Sequence, residues 1–576
     1  LLALALSGGL AARTTEPSAE TGVALLSSEL RLRASQGRTI DLEVRARDDD
    51  SWATLARRIT GRAERAEELR AGRSGTPSQA GWIAVPLQQL GDDYRALVCL
   101  RAFPEDRRQG GDWLHVSRPA SLSLYDEGLW QVAEWFTGDG ANFKRLMEAN
   151  GLASPELTSG QQIRIPAELL HPALRQRPAS DDGALEYGQD AEGAYAGYRL
   201  QAGEAVYSAV VVRFTGRTSG EDVRALADAV CRRSGIADPR DIPIGFLVKV
   251  PLDELEPDFL PHDHPRRLEA ESARQELARE LARQPVGKSR GLGGVLVILD
   301  PGHGGRDLGT INNGIWEHDY VYDVACRLKQ RLERESSAQV RLTLEDRETG
   351  WTPSASDKLL ANHQGTILTD PPFLAKREGE AQIGVNLRWY LANSVLRGAV
   401  RAGTDADRIV FLSLHADSRH PSLRGAMIYV PGAAYRSKTY GHDGADYARY
   451  REVQEKPTIG FSSKERIRSE AVSTRLAETM VRALRRAELP VQDYRPIRNR
   501  VIRGRSSWLP AVLRGNAVPH KLLIEMVNLS NPRDAALLAS ARDRDRLAEA
   551  LFAALVQYFG DEPASRTALT HRAGGS

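Results

Sequence analysis

Gly294 to Asp300 reads GVLVILD, a short continuous apolar run of the kind that forms a strand covered on both faces. A second such run, RIVFLSLHA, covers Arg408 to Ala416 and carries His415 near its end. A third, Lys521 to Ile524, delivers Glu525. Between the first two lies IWEHDYVYDVACRLKQRL, in which Val321, Val324, Ala325 and Leu328 share one helical face. Buried-type strands separated by helical patterns predict an α/β fold, a mixed sheet flanked by helices, for the C-terminal half of the chain.

The first half is patterned on a shorter scale and repeats. WATLARRITG from Trp52, WQVAEWFTG from Trp130 and YSAVVVRFTG from Tyr207 each read as a short helical stretch closed by Thr-Gly. A second helical segment follows each one, and then a short strand with a proline: WIAVPLQQL, QIRIPAELL and LVKVPLDEL. Gly61, Gly138 and Gly216 are spaced by 77 and 78 residues. With a leading strand such as Tyr198-Arg199-Leu200, each unit is a βααβ fold. These repeats resemble LysM modules, small domains that hold chitin-like and peptidoglycan glycans. The second, with LWQVAEWFTGD, LMEAN and SGQQIRIP, is nearest the pattern, and the first is the most degenerate. Trp52, Trp130 and Tyr207 are expected to be buried anchors, with glycan contacts left to neighbouring loops.

The chain has 576 residues, too many for a single compact core. Its composition, 41% hydrophobic and 27% charged, is globular and excludes disorder over most of its length. Lys plus Arg total 78 against 76 for Asp plus Glu, a net charge of +2, which argues against a dedicated nucleic-acid binder. Cys99, Cys231 and Cys326 are too few and too scattered for a disulfide scaffold or a cysteine-based zinc site. LLALALSGGLAA, Leu1 to Ala12, reads as the core and cleavage region of a partial signal peptide, so export to the periplasm or exterior is expected. No later stretch reaches the length of ~20 apolar residues that a transmembrane helix needs.

The chemistry sits after Gly294. PGHGGRDLG, Pro301 to Gly309, surrounds His303 with glycines that let the backbone turn sharply at a strand end. Lacking a Lys-Ser/Thr pair, it is a poor phosphate loop. Glu317 opens the following helix; read alone, it equally serves the positive end of the helix dipole. Ligand sites in open α/β sheets gather at the carboxyl ends of strands, so His303, Glu317, His415 and Glu525 are expected to converge. Two imidazoles and one carboxylate make a catalytic zinc shell with a position left for water. A second carboxylate is then free to act as general base.

LDPGHGGRDLG, NNGIWEHDYVYDVA, LRWYLAN, FLSLHAD and VPHKLLIEMVNLSN, in that order, resemble the zinc-dependent N-acetylmuramoyl-L-alanine amidases of the type-3 class. The resemblance implies Zn2+ held by His303, Glu317 and His415, with Glu525 as the catalytic residue. It implies hydrolysis of the amide between the lactyl group of N-acetylmuramic acid and L-alanine, with peptidoglycan as partner. Another zinc hydrolase such as a peptidase, or a non-catalytic wall-binding protein, are the alternatives. LTLEDRETGW replaces the usual Thr-Arg pair, and Thr352–Gly384 and Pro431–Glu465 are longer than the family pattern. An activator protein is implied if either insertion is autoinhibitory. His318, His363, His420, His442 and His520 rank below the named set, and the five arginines of Arg495–Arg505 are read as a solvated face.

The expected organisation is a partial signal peptide over 1–12, LysM-like units over 38–95, 119–172 and 196–256, a partly helical linker over 257–292, a zinc amidase domain over 293–560 and a tail over 561–576.

Overall fold

The computed structural model describes residues 23–35, 39–117, 128–283, 291–312, 314–442 and 444–560. The expected signal peptide, the tail over 561–576 and position 119, where the second repeat was expected to start, lie outside the described residues. The chain divides into two compact units, Leu1–Thr215 with Ala225–His264, and Gly216–Arg224 with Pro265–Ser576.

The N-terminal half repeats one order of elements. Strand Thr39–Arg45 pairs antiparallel with Trp82–Pro86, with helices Trp52–Thr60 and Ala66–Arg70 between them. Strand Asp112–Val116 pairs antiparallel with Gln162–Ile165 around helices Leu129–Thr137 and Phe143–Asn150. Strand Gly193–Arg199 pairs antiparallel with Leu247–Pro251. Between them run a π-helical stretch, Val206–Val212, and a helix, Gly220–Arg233. The leading strands of the second and third repeats thus begin at Asp112 and Gly193, ahead of 119 and 196. The Thr-Gly signature has a backbone cause: Gly61, Gly138 and Gly216 have φ of 74°, 83° and 70°, the left-handed region that ends a helix most cheaply with glycine.

The aromatics that open the helices are not buried anchors. Trp130 is 51% exposed. Trp52 is half-buried, its indole N–H donating to the Gly75 carbonyl at 3.0 Å, and Tyr207 is half-buried. The inward faces are set instead by Leu55, Ala56 and Ile59 in the first repeat and by Leu129, Val132 and Phe136 in the second. Trp130 follows Leu129 by one residue, about 100° around the helix, and so points off that face.

The C-terminal unit is built on a six-stranded mixed sheet. Its elements are β1 (Leu296–Pro301), α1 (Glu317–Glu335), β2 (Gln339–Leu342), α2 (Ala381–Arg401), β3 (Ile409–His415), β4 (Met427–Tyr429), α3 (Ser463–Arg486), β5 (Ile497–Arg498), β6 (His520–Glu525) and α4 (Ala541–Gly560). The strand order is β2-β1-β3-β6-β4-β5. β2, β1, β3 and β6 are mutually parallel, β4 runs antiparallel to β6, and β5 is parallel to β4. Alternate strand residues supply two cores. Val297, Leu299 and Leu412 pack with Val324 and Leu328 of α1, Leu476 of α3 and Leu551 of α4. Leu296, Ile298 and Phe411 pack with Ala392, Leu509, Val512 and Leu513. Burial on both faces explains why these strands lack polar alternation, and each such side chain contributes roughly 1.5–3 kcal/mol.

The long insertions carry small elements of their own. Gly365–Ile367 pairs with Leu344–Asp346, and Tyr440–Gly441 pairs with Thr458–Ile459. Pro265–Arg283 is a helix within the expected linker. Among the described residues, no helix is long and apolar enough to cross a membrane.

α4 is locked to α1 by a buried charge. Arg544, fully buried, donates to Asp323 at 2.6 Å and to the carbonyls of Ala539 and Ser356 at 2.7 and 2.6 Å. Asp323 also accepts from Arg327 and from the Ser354 amide, so one ion pair holds two helices and the start of the 352–384 insertion. Removing one partner of a buried pair strands the other and the carbonyls it served. Arg544→Ala is therefore expected to destabilise the C-terminal unit by about 3 kcal/mol, read as a lowered denaturant midpoint of its unfolding transition.

Candidate metal centre

Parallel pairing of β1, β3 and β6 brings their carboxyl ends side by side. The register sets Asp300 opposite Ser413 and His415 opposite Glu525. Two of the four expected site residues are therefore neighbours across a ladder. His303 lies just past β1, and Glu317 is the first residue of α1.

His303 has a φ of 66°, a left-handed backbone that a non-glycine residue holds only when its surroundings fix it. Those surroundings are identifiable. The Gly302 amide donates to the Leu414 carbonyl at 2.8 Å. Arg388 of α2, buried, donates to Asp300 at 2.6 Å, to the Pro301 carbonyl at 2.7 Å and to the His303 carbonyl. Asp300 also accepts from the hydroxyls of Thr343 and Ser413 at 2.5 and 2.7 Å. The His318 ring, buried, donates to the Gly302 carbonyl at 2.9 Å.

The result is a compact donor set. His303, Glu317 and His415 each offer one atom such that all three lie within 4.8 Å of one another. His303 Nε2 and His415 Nδ1 are each 3.2 Å from Glu317 Oε1. Ligands bound tetrahedrally to zinc at ~2.0–2.1 Å stand about 3.3 Å apart, so this spacing fits a common ion. Glu317 is fixed on both oxygens: Oε1 accepts from the Ala416 amide at 2.9 Å and Oε2 from the Thr310 amide at 2.8 Å. Its side chain is 3% exposed, against 23% and 18% for His303 and His415, so the cluster is open on the imidazole side. His303 Nδ1 donates to Asp307 at 3.0 Å, which sets its tautomer and leaves Nε2 for the cluster.

The charges in the cluster support one another. Burial alone would lower the His303 imidazole, but Glu317 and Asp307 outweigh it and raise it to about 10. Burial would raise the Glu317 carboxyl, and His303 and His415 instead hold it well below the usual range. Two glycines leave the space. A Cβ on Gly302 would come 2.3 Å from His415 Cε1, and one on Gly309 would come 2.6 Å from both Glu317 Oε2 and His303 Cδ2.

Glu525 ends β6 beside this cluster without belonging to the three-atom set. Its Oε2 accepts from the Asp417 amide at 2.9 Å. Burial, then the Asp417 and Glu317 charges, push its carboxyl well above the ordinary range, with Arg419 opposing. Arg419 is buried, with Nη2 3.7 Å from Glu525 Oε1 and 3.5 Å from Asp417 Oδ2.

The other histidines are committed elsewhere. His363 faces the Gly305 carbonyl at 3.1 Å, His420 the Ser422 hydroxyl at 2.8 Å and His520 the Tyr558 hydroxyl at 2.9 Å, while His442 stacks on Tyr447. Sequence reasoning left Asp307, Arg388 and Asp300 without roles. Asp307 sits four residues after His303 in the quoted loop, and Arg388 lies within LRWYLAN. A signal was therefore present, but nothing local says where either side chain goes.

Residues 297–557 match the family model for N-acetylmuramoyl-L-alanine amidase, and residues 127–166 match that for the LysM domain. Among curated proteins, the N-acetylmuramoyl-L-alanine amidase AmiA of Escherichia coli (strain K12) is 24% identical over 284 residues, covering 48% of this chain and 80% of the relative. Among solved structures, the N-acetylmuramyl-L-alanine amidase Ami1 from Mycobacterium smegmatis is 18% identical with a TM-score of 0.29, covering 47% of this chain and 99% of that one. The amidase AmiC2 of Nostoc punctiforme is 20% identical with a TM-score of 0.26, covering 46% of this chain and 98% of that one.

Gly309→Ala forces a Cβ against two members of the donor set, at a φ of 67° that L side chains rarely adopt. The variant is expected to fold and to lose most of its divalent metal, as read by elemental analysis after gel filtration. Full metal content in this variant would show that the three residues are not the ligands.

Proposed function

We propose that this chain, whose residues 297–557 form a domain of the N-acetylmuramoyl-L-alanine amidase family, is a peptidoglycan hydrolase that uses zinc to cleave the bond between the muramic lactyl group and L-alanine. The observation that carries the reading is the convergence of His303, Glu317 and His415 within 4.8 Å, with Glu525 opposite His415 on the next strand. A LysM domain over 127–166 adds an element that binds peptidoglycan. In this reading the first and third βααβ units are LysM-like as well, supported by the same element order and the same glycine-capped first helix. A wall polymer as substrate places the action outside the cytoplasm, in the periplasm or beyond the cell.

When bound, zinc lowers the pKa of a coordinated water toward ~7 and polarises the amide carbonyl. His303, Glu317 and His415 would hold it, with Asp307 and the Ala416 and Thr310 amides keeping two of those side chains in place. Glu525 takes a proton from the attacking water. Its Oε1 is the available atom, because Oε2 already accepts from the Asp417 amide. Burial raises the proton affinity of this carboxyl, which suits it to accept that proton and then return it to the nitrogen of the departing alanine. The Arg419 charge, 3.7 Å from Oε1, opposes that rise. Water adds at the carbonyl carbon, the C–N bond breaks, and the products are a free lactyl carboxylate and a peptide with a free amino terminus.

Digestion of purified sacculi, with identification of the new chain ends, tests the bond assignment. Free lactyl carboxylates with unblocked N-terminal alanine are expected, and cleavage between amino acids instead would make the protein a peptidase. Glu525→Gln is expected to keep stoichiometric zinc and lose about 10²–10⁴-fold in kcat. His303→Ala and His415→Ala are expected to lose zinc together with activity, and normal zinc content in both would overturn the ligand assignment.

A further inference from the structure

The division into compact units cuts across the third repeat. Gly216–Arg224, which runs from the left-handed Gly216 into the start of helix Gly220–Arg233, belongs to the C-terminal unit, while the residues on either side of it belong to the N-terminal one. Backbone and side-chain bonds hold this segment within the C-terminal unit. Arg498 of β5, one of the arginines expected on a solvated face, is buried and donates to the Gly216 carbonyl. The Gly504 amide, at the turn between the hairpin strands Val501–Arg503 and Ser506–Trp508, donates to Asp222 Oδ2 at 3.0 Å. Between these two fastenings, the Thr218 carbonyl accepts from the His420 amide at 3.0 Å. Arg217 and Thr218 are buried, so the middle of the segment is packed rather than solvated.

His420 lies in the loop that leaves β3, and that loop leads back to Glu525. Ala416–Gly425 contains no strand or helix, so its shape is set by the partners of its backbone groups. The Asp417 amide donates to Glu525 Oε2 at 2.9 Å, and the Arg419 guanidinium stands 3.7 Å from Glu525 Oε1. The Arg419 amide donates to Asn528 Oδ1 at 2.9 Å, and Asn528, buried, donates to the carbonyls of His420 and Leu423 at 3.0 and 2.8 Å. Asn528 thus grips the loop from the end of β6, and Thr218 grips it from a segment far away in sequence. His420 is buried, so moving Thr218 takes an acceptor from a buried amide, a cost the loop avoids by shifting. A shift at His420 passes to its neighbour Arg419 and on to Asp417, the two residues that meet the oxygens of Glu525.

We propose that Gly216–Arg224 is a strap that positions the loop after β3, so that the orientation of Glu525 depends on a segment drawn from the third repeat. The inference rests on the amidase reading above for its kinetic consequence. Thr218, Asp222 and Arg498 are positioning residues in this assignment, acting through Asp417 and Arg419 rather than on the substrate.

Inserting two glycines between Arg217 and Thr218 of the full chain moves the carbonyl off the His420 amide and changes no side chain of the centre. With the zinc-loaded proteins and N-acetylmuramoyl-L-alanyl-D-glutamate as soluble substrate, kcat is expected to fall about 10- to 100-fold, with KM and zinc content kept. Amide hydrogen exchange, followed by mass spectrometry, is expected to speed up over residues 416–424 in the same variant. A milder pair guards against misfolding. Asp222→Ala frees one end of the strap and is expected to lower kcat by about 3- to 10-fold, whereas Asp222→Asn, which keeps an oxygen for the Gly504 amide, restores it. Wild-type kcat in both the insertion variant and Asp222→Ala would overturn the proposal. So would unchanged exchange over 416–424, or a loss in Asp222→Ala that Asp222→Asn does not restore. A wild-type chain that leaves the lactyl amide intact defeats the amidase reading instead, and the exchange measurement then still decides whether the strap holds the loop.

Discussion

The buried pair between Asp300 and Arg388 is the contact on which the geometry of the centre depends. Neither residue touches the three-atom cluster, yet together they decide where His303 stands. Burying two charges costs several kcal/mol each, and a lone pair in such a place contributes little to stability. Here the cost is offset by saturation: Asp300 also accepts two hydroxyl protons, and Arg388 also donates to two loop carbonyls. The return is positional. β1, β2, β3 and α2 are fastened to one carboxylate, and the left-handed backbone at His303 is held where unconstrained chain would relax.

From that fixed point the cluster divides its labour by exposure. Glu317 is buried and hydrogen-bonded at both oxygens, so it serves as the rigid floor. The imidazoles face a cavity and leave room for water and substrate. Glu525 stands on the neighbouring strand, paired in register with His415, yet outside the three-atom set. Burial raises its proton affinity above that of a free carboxylate, and the Arg419 charge opposes the rise. The LysM domain adds a different kind of gain. In the function proposed, a wall-binding element tethered to the C-terminal unit raises the local concentration of polymer without any new contact at the site.

How much of this was legible in the sequence follows from which interactions are local. His303, His415 and Glu525 could be read because each ends an apolar run, and parallel strands put their ends together. Glu317 could be read because it opens a periodic helix. Asp307 was within reach, four residues from the histidine it serves. Arg388 was not, because it lies 88 residues from Asp300 and its helix pattern says nothing about which strand end it reaches. The repeats show the converse. Their period is plain, but an aromatic that opens a helix reads as core, whereas Trp130 stands 51% exposed because the buried stripe begins one residue earlier, at Leu129. The strand at Asp112–Val116 is not legible, because no pattern in DWLHV ties it to its distant partner Gln162–Ile165.

The centre and the cavity beside it are built from different parts of the unit. In the function proposed, the metal ligands and the base stand at or just past strand ends and at the start of α1, where the ladder fixes the backbone and a single substitution disturbs several neighbours. The wall of the cavity beside His303 and His415 comes in part from the Trp508–Val512 segment, which connects a short hairpin to β6 and packs only its inward side chains, Leu509 and Val512, into the second core. Such a segment can exchange its outward Trp508 without moving the sheet. In that reading the chemistry rests on the sheet, while the outward side chains of the wall segment bear little of the fold's stability. An outward wall residue can alter on its own, whereas a change of chemistry would require β1, β3 and β6 to move together.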